Sequence, residues 1–447
     1  MNMLVLTERL PAPLRSRIRA LRQHAARRSF AWNVSVMLAG TVAGQGISLL
    51  LSPFLTRVFT PSEFGYLSVY SSVLFIVCVV ASLGLELAIP IASCELEAAN
   101  LLALCGFSLV VTTAVITLIT YAIPADLLAS VWIGDLASYR YLLPIGFACL
   151  GGYFIMVAIA TRAAAFQDIA RTRISQGLSG PLSQIALGLM HAGTPGLAIG
   201  FIIGQSSGTL LLYWRVVLRL RALAGISWHG ICAAARRYIH FPLFASWARM
   251  LDMAGSGTVL FVLFSTCYSS DIAGFMFLSD RVISRPLLVV STSLLQVLTG
   301  EAGRALNDDP TTLRRRFYQV MPRQFLLSLG WIVFANLIAA WAFPLLFGEQ
   351  WAAAIPYLHA GSAAYLGLAV LHPASTMLQM LERQVAAAVW QMFRLVLVIG
   401  GFLVGWHSGL PAVTTLWVCS ILQFVAILVV LGLIAWSIER VVRQDVG

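Results

Sequence analysis

Residues 240–299 are apolar enough to form two membrane-spanning helices joined near Ser269-Ser270-Asp271, yet they carry Arg249, Asp252, Asp280, Arg281 and Arg285. At about 1.5 Å of rise per residue, entry near Phe241 puts Arg249 and Asp252 roughly 12 and 16 Å deep. Entry near Asp271 from the other face puts Arg281 and Arg285 roughly 15 and 21 Å deep, near the middle of a hydrocarbon core about 30 Å thick. A lone charge at that depth costs several kcal/mol, so such residues face a bundle interior or a water-filled cavity and mark a pathway. On the second of these helices Arg281, Arg285, Thr292 and Gln296 share one face, flanked by Ser284, Ser291 and Thr299. A polar stripe therefore runs the length of a membrane helix.

The remainder of the chain is built to surround such a helix. Hydrophobic residues make up 59% of the 447 residues and charged residues 11%, against roughly 45–50% and 25% in soluble domains. With a mean hydropathy of +0.87, this composition predicts an all-α polytopic membrane protein with essentially no soluble domain. All 29 basic residues are Arg, and the net charge is +11. In a soluble protein that excess would suggest nucleic acid; here membrane topology accounts for it and no nucleic-acid partner is expected. The seven Cys lack CxxC or ladder spacing and lie mostly in apolar runs, so no disulfide framework and no metal site is expected.

Residues 1–29 hold seven Arg, with Leu14, Ile18, Leu21 and Ala25 at helical spacing, and read as a basic amphipathic segment on the cytoplasmic membrane surface. Twelve apolar segments follow, at about 33–52, 66–86, 98–122, 141–160, 174–191, 195–216, 240–268, 271–299, 323–348, 352–380, 385–406 and 411–437. With the N-terminus inside, the even-numbered loops and the termini hold 23 Arg, whereas the opposite loops hold only Arg57 and Arg140. That asymmetry predicts twelve spans with both termini cytoplasmic. The domain plan is then an N-lobe at 30–216, a cytoplasmic linker at 217–239, a C-lobe at 240–437 and a tail at 438–447.

Six spans per half coincide with a faint internal repeat. Thr60-Pro61-Ser62-Glu63-Phe64-Gly65-Tyr66 parallels Ser269-Ser270-Asp271-Ile272-Ala273-Gly274-Phe275. Tyr141-Leu142 with Leu150-Gly151 likewise parallels Tyr357-Leu358 with Leu366-Gly367. An even number of spans gives both halves the same orientation, the parallel-repeat plan of many transporters, whose substrate site lies between the halves.

Several stretches resemble one family: the polysaccharide-export (Wzx-type) lipid-linked oligosaccharide flippases of the MOP transporter superfamily. They include LSPFLTRVFTPSEFGYLSVYSS (51–72), SLGLELAIPIASCELEAANLL (82–102), TRAAAFQDIARTRISQGLSGPLSQIALGL (161–189), RRYIHFPLF (236–244) and LFGEQWAAAIPYL (346–358). Arg57, Pro61, Phe64 and Gly65, in an arginine–x–x–x–proline–x–x–phenylalanine–glycine element, form the most specific piece. The resemblance implies two six-helix lobes in a MATE-like V around a central cationic cavity. It implies translocation of an undecaprenyl-diphosphate-linked oligosaccharide across a bacterial cytoplasmic membrane by alternating access, for O-antigen, capsule or exopolysaccharide synthesis. A polysaccharide polymerase or export machinery is an implied partner. The glycan is left open, as is a coupling ion, H+ or Na+; no cofactor is expected.

A diphosphate crosses hydrocarbon only with counter-charges. Arg249, Arg281, Arg285 and Arg394 are the candidates, because guanidinium stays charged and grips phosphate oxygens in a bidentate fork. Ser284, Thr292 and Gln296 are candidates for glycan hydroxyls. Asp252, one turn from Arg249, and Asp280, next to Arg281, are candidate charge-pair or coupling residues; structural ion pairs locking the cavity wall are the plainer alternative. Glu86 reads as interfacial, Arg57 as an anchor for the loop after the first span, and Pro286 as a kink or hinge beside Arg285. Competing classes are a MATE-like cation-coupled exporter, which would want an acidic cavity, a membrane glycan polymerase, which would want a large extramembrane loop, and a scaffold. The chain reads as a transporter and not as an enzyme.

Overall fold

In a computed structural model the structure describes residues 35–123, 139–219, 221–242, 246–308, 310–374, 377–381 and 383–446. The basic segment at 1–29 lies outside them. Among the described residues the protein folds as twelve principal helices, one of them broken, in two six-helix lobes. The first lobe holds α1 (Ser35–Val58), α2 (Pro61–Cys78), α3 (Glu95–Ala122), α4 (Leu142–Arg162), α5 (Phe166–Leu189) and α6 (Gly193–Arg215). The second holds α7 (Ser246–Met253 and Val259–Cys267), α8 (Ser270–Asp308), α9 (Pro310–Phe347), α10 (Ile355–Leu371), α11 (Gln384–His407) and α12 (Ala412–Val446).

Nine of these, among the described residues, are long and apolar enough to cross a membrane by themselves. The other three, α2, α5 and α8, carry polar side chains. Helix α2 opens with a serine- and tyrosine-rich stretch, α5 carries Asp168, Arg171 and Arg173, and α8 carries Asp280, Arg281 and Arg285. Several of those charges pair with one another or with a neighbour: Asp168 with Arg171 and Arg215, and Asp280 with Arg285.

The internal repeat is visible in the helix starts. Thr60 caps α2: its hydroxyl accepts from the Glu63 N–H, the Glu63 carboxylate accepts from the Thr60 N–H, and Pro61 fills the first helical position. Ser269 stands at the equivalent place before α8, its hydroxyl accepting from the Ile272 N–H at 3.3 Å. In the second repeat pair, α4 packs on α2 through Tyr70, whose hydroxyl donates to the Leu142 carbonyl at 2.8 Å. Correspondingly α10 packs on α8 through Tyr357 stacked on Phe275, with centroids 5.8 Å apart.

Small residues bring the helices of a lobe together, as expected where lipid removes the hydrophobic drive for helix association. Gly44 of α1 and Gly177 of α5 meet backbone to backbone. In the second lobe the Trp390 indole N–H donates to the Ala426 carbonyl at 2.9 Å, tying α11 to α12.

The arginine-rich loops share one end of the bundle. Arg162 bridges to Glu95 at 3.4 Å, Arg215 to Asp168 at 3.0 Å, Arg237 to Glu97 at 2.7 Å, and Arg314 to Glu439 at 2.9 Å. Three stretches assigned to loops are helical instead. The 304–323 connection consists of the end of α8 and the start of α9, α12 runs beyond 437 to Val446, and the linker contains a short helix, Trp228–Arg237. Hydropathy marks where a helix leaves the membrane, whereas helix propensity carries it on into water.

Candidate functional site

The site is the seam between the lobes, and α8 runs along it. At the arginine-poor end α8 crosses α2 with almost no space between the backbones. Ser62 and Ser270 share a hydrogen bond of 2.7 Å, and Gly65 and Gly274 each lie against the other helix. Alongside, the buried Trp351 donates to the Thr56 carbonyl at 2.9 Å and packs edge-on to Phe64 at 5.0 Å. Gln350 donates to the same carbonyl at 2.8 Å. The Arg57–Pro61–Phe64–Gly65 element therefore lies where the lobes clamp together. Arg57 itself is exposed and reaches the Leu345 carbonyl at 3.5 Å.

Midway along the seam, Arg281 leaves α8 and crosses to α1. Its guanidinium donates to the Ser48 hydroxyl at 2.6 Å and to the Ser48 carbonyl at 3.3 Å. Arg285, one turn further on, pairs with Asp280 at 3.7 Å and is 41% exposed. Asp280 is thus the partner of Arg285, although Arg281 is its neighbour in sequence. Successive helix residues point about 100° apart, so adjacency in sequence separates two side chains, while a long arginine side chain can fold back along its own helix. Two cations and one carboxylate leave the cluster with a net positive charge.

Ser284 is buried beside Asp280. The Thr292 hydroxyl turns back to the Val289 carbonyl at 2.8 Å. Gln296 lies on α8, and its side chain is outside the described residues. Ser291 is buried and donates to the Ala369 carbonyl of α10 at 2.9 Å, while accepting from Gln324 of α9 at 2.6 Å. The lower part of the polar stripe thus serves packing within the second lobe as well as the seam.

Arg249 and Asp252 part company. Arg249, 40% exposed, reaches across to the first lobe and pairs with Glu86 at 2.5 Å. Glu86 is buried and accepts from the Ser82 hydroxyl. Asp252, 60% exposed, turns to its own lobe and accepts from Arg394 at 3.1 Å. Arg394 is 1% exposed, donates to the Gln391 amide oxygen at 2.9 Å and lies 4.7 Å over the Trp390 ring. A guanidinium so enclosed is a fixture of the second lobe's wall. Glu86 is the functional candidate that sequence reasoning undervalued, and its partner 163 residues away left no local signal.

Helix α7 is broken just beyond these two pairs. A π-helical turn at Ala254–Thr258 holds Gly257 at φ 100, a conformation that glycine adopts without strain. At the facing end of α2, Leu83 and Gly84 have φ of 55 and 73. Gly84 also lies against the Ser246 hydroxyl. Among the described residues no group of three His, Cys, Asp or Glu side chains could hold a metal ion.

A family model for the polysaccharide biosynthesis protein matches residues 54–356. The chain belongs to that family. Solved MOP-superfamily structures share its fold. An inward-facing multidrug resistance MATE transporter is 15% identical, covering 91% of this chain and 98% of its own, with a TM-score of 0.63. The outward-facing form of a MATE transporter gives 14% identity, coverage of 93% and 96%, and the same TM-score. A MOP-superfamily transporter from Pyrococcus furiosus, described as having a binding pocket of reverse polarity that suggests a different function, is 16% identical over 92% and 95%, with a TM-score of 0.58. No curated protein matches the chain. This polysaccharide biosynthesis protein is therefore a multi-pass membrane protein with the V-shaped, twelve-helix fold of the MATE transporters.

Proposed function

We propose that this protein is a flippase that carries polyprenyl-diphosphate-linked oligosaccharide, with undecaprenol as the expected lipid, across the bacterial cytoplasmic membrane by alternating access. The observation that carries the reading is the Arg281–Arg285–Asp280 cluster on α8, a net cation about midway along a membrane helix at the seam of two transporter-like lobes. Family membership supplies the pathway class, and the fold supplies a way to expose one site to either side. Arginine is the residue suited to a diphosphate, since its fork satisfies two phosphate oxygens at once and its charge persists at depth. The polyprenyl tail stays in lipid while the glycan occupies the space between the lobes.

The positive-inside asymmetry orients the arginine-rich end, with both termini, toward the cytoplasm. A MATE-like exporter of cations is disfavoured by the same cluster, because a cationic drug gains nothing from two guanidinium groups. A transport role rather than an enzymatic one is favoured by the fold shared with the MATE transporter structures. The test is a deletion strain lacking a redundant flippase. Lipid-linked oligosaccharide is expected to build up on the cytoplasmic leaflet and surface polysaccharide to fall; unchanged surface polysaccharide and unchanged intermediates contradict the reading.

A further inference from the structure

The half-helix Ser246–Met253 at the arginine-rich end of α7 is tied to both lobes by charge. Asp252 fastens it to Arg394 of its own lobe, and Arg249 fastens it to Glu86 of the other. The two ties differ in what surrounds them. Arg394 is sealed from solvent, stacked on Trp390 and in contact with Gly255. Arg249 is 40% exposed, and the partner its guanidinium meets is Glu86, whose other carboxylate oxygen accepts from the Ser82 hydroxyl. The π-turn with Gly257 at φ 100 lies just beyond Asp252, and the positive-φ pair Leu83–Gly84 lies just before Glu86. Each lobe therefore carries a backbone break beside its half of the Arg249–Glu86 pair.

We propose that the Arg249–Glu86 pair is an anion-released latch: a diphosphate entering from the arginine-rich end competes with the Glu86 carboxylate for Arg249 and frees the lobes to move apart there. The inference rests on the flippase reading and adds the step that couples substrate arrival to opening. A diphosphate presents more charge and more acceptor oxygens to a guanidinium than one carboxylate does. It has access to the part-exposed Arg249, whereas Glu86 is fixed in position by Ser82. Because Asp252–Arg394 holds the half-helix to the second lobe, losing Glu86 releases only the contact with the first. The clamp at the opposite end, through Gly65, Gly274 and Trp351, does not use Arg249 and serves as the pivot.

Distance measurement between spin labels at Ile91 and Val385, both exposed near the arginine-rich end, tests this in nanodiscs. The full-length chain is used with its seven cysteines replaced, after that background is shown to be monodisperse and to complement the deletion. Inorganic diphosphate and geranylgeranyl diphosphate are the probes. In the parent protein either probe is expected to deplete the short-distance population. Glu86→Gln is expected to lack that population before any probe is added, and Arg249→Gln to show the same loss from the other side should Glu86→Gln fail to insert. A short-distance population that persists in both variants overturns the latch. A parent that ignores both probes while Glu86→Gln opens overturns the competition. Repeating the measurement with and without phosphatidylglycerol separates a lipid headgroup from the diphosphate, and opening that follows phosphatidylglycerol alone also overturns the assignment. Opening by diphosphate in a protein whose deletion leaves lipid-linked oligosaccharide unaffected sinks the flippase reading and leaves the latch standing.

Discussion

Gly65 of α2 and Gly274 of α8 are reciprocal: a Cβ on Gly65 would strike the backbone of Ser270, and a Cβ on Gly274 would strike the backbone of Pro61. Pro61 and Ser270 hold the same place in the two halves of the internal repeat, as do the two glycines. The lobes are thus joined at this end by a pseudo-two-fold contact in which each repeat supplies the same two positions. The obstacle is backbone in both cases and cannot rotate away. Gly65→Ala is expected to cost about 1–3 kcal/mol by overpacking. The midpoint of thermal unfolding in detergent should fall, and a cysteine placed at Ser62 should label faster than in the parent protein. Unchanged labelling would mean that the helices slide past the added methyl group.

Topology is checked by impermeant thiol reagents on intact cells. Cysteines at Thr60, Ala353 and Ser408, all exposed at the arginine-poor end, are expected to react from outside. A cysteine at Arg315, exposed at the arginine-rich end, is expected to react only after permeabilisation. The reverse pattern would invert the protein in its membrane.

Arg394→Ala should damage the fold before it affects transport. It empties the space beneath Trp390 and frees Asp252, with a cost of about 2–5 kcal/mol expected from truncating a large buried side chain. Low yield of monodisperse protein is the expected readout, and Arg394→Lys should rescue it in part, because a single Arg394 nitrogen makes the contacts to both Asp252 and Gln391 and an ammonium can donate to the same oxygens. A well-folded Arg394→Ala protein that has lost only transport would return Arg394 to the substrate site.

Arg281 and Arg285 separate structural from substrate roles. Arg281→Ala leaves no carboxylate behind, since its partner is Ser48, so the protein should insert normally while export is lost. Arg285→Ala strands Asp280 and should destabilise by about 1–3 kcal/mol, less than for a fully buried pair because Arg285 is 41% exposed. The neutral pair Asp280→Asn with Arg285→Gln should recover the fold without recovering export. Full export by that double variant would remove Arg285 from the proposed substrate site.

Much of this architecture was written in the chain. Span number and the sharing of one end by the arginine-rich loops follow from hydropathy and charge, both local properties. The repeat around Gly65 and Gly274 was legible because each half needs the same cap and the same small residue. Partner choice was not legible. Asp252 sits one turn from Arg249 yet pairs with Arg394, 142 residues away, and Arg249 pairs with Glu86. Those choices depend on which helix faces which, a matter of bundle packing that no window of sequence contains. Arg173 shows the same limit: it stands just before the apolar segment at 174–191, yet it lies within α5 over the Tyr153 ring at 5.7 Å.

The central claim is that diphosphate-linked glycan crosses the membrane through the seam lined by α8. The most direct measurement uses the purified protein in proteoliposomes loaded with undecaprenyl-diphosphate oligosaccharide in both leaflets. A membrane-impermeant glycosidase added outside digests the outer pool, and the fraction digested is followed with time. Vesicles with the parent protein are expected to expose the inner pool and approach complete digestion, while Arg281→Ala vesicles stop near half, as protein-free vesicles do. Digestion that stops near half with the parent protein, or runs to completion with Arg281→Ala, would contradict the account.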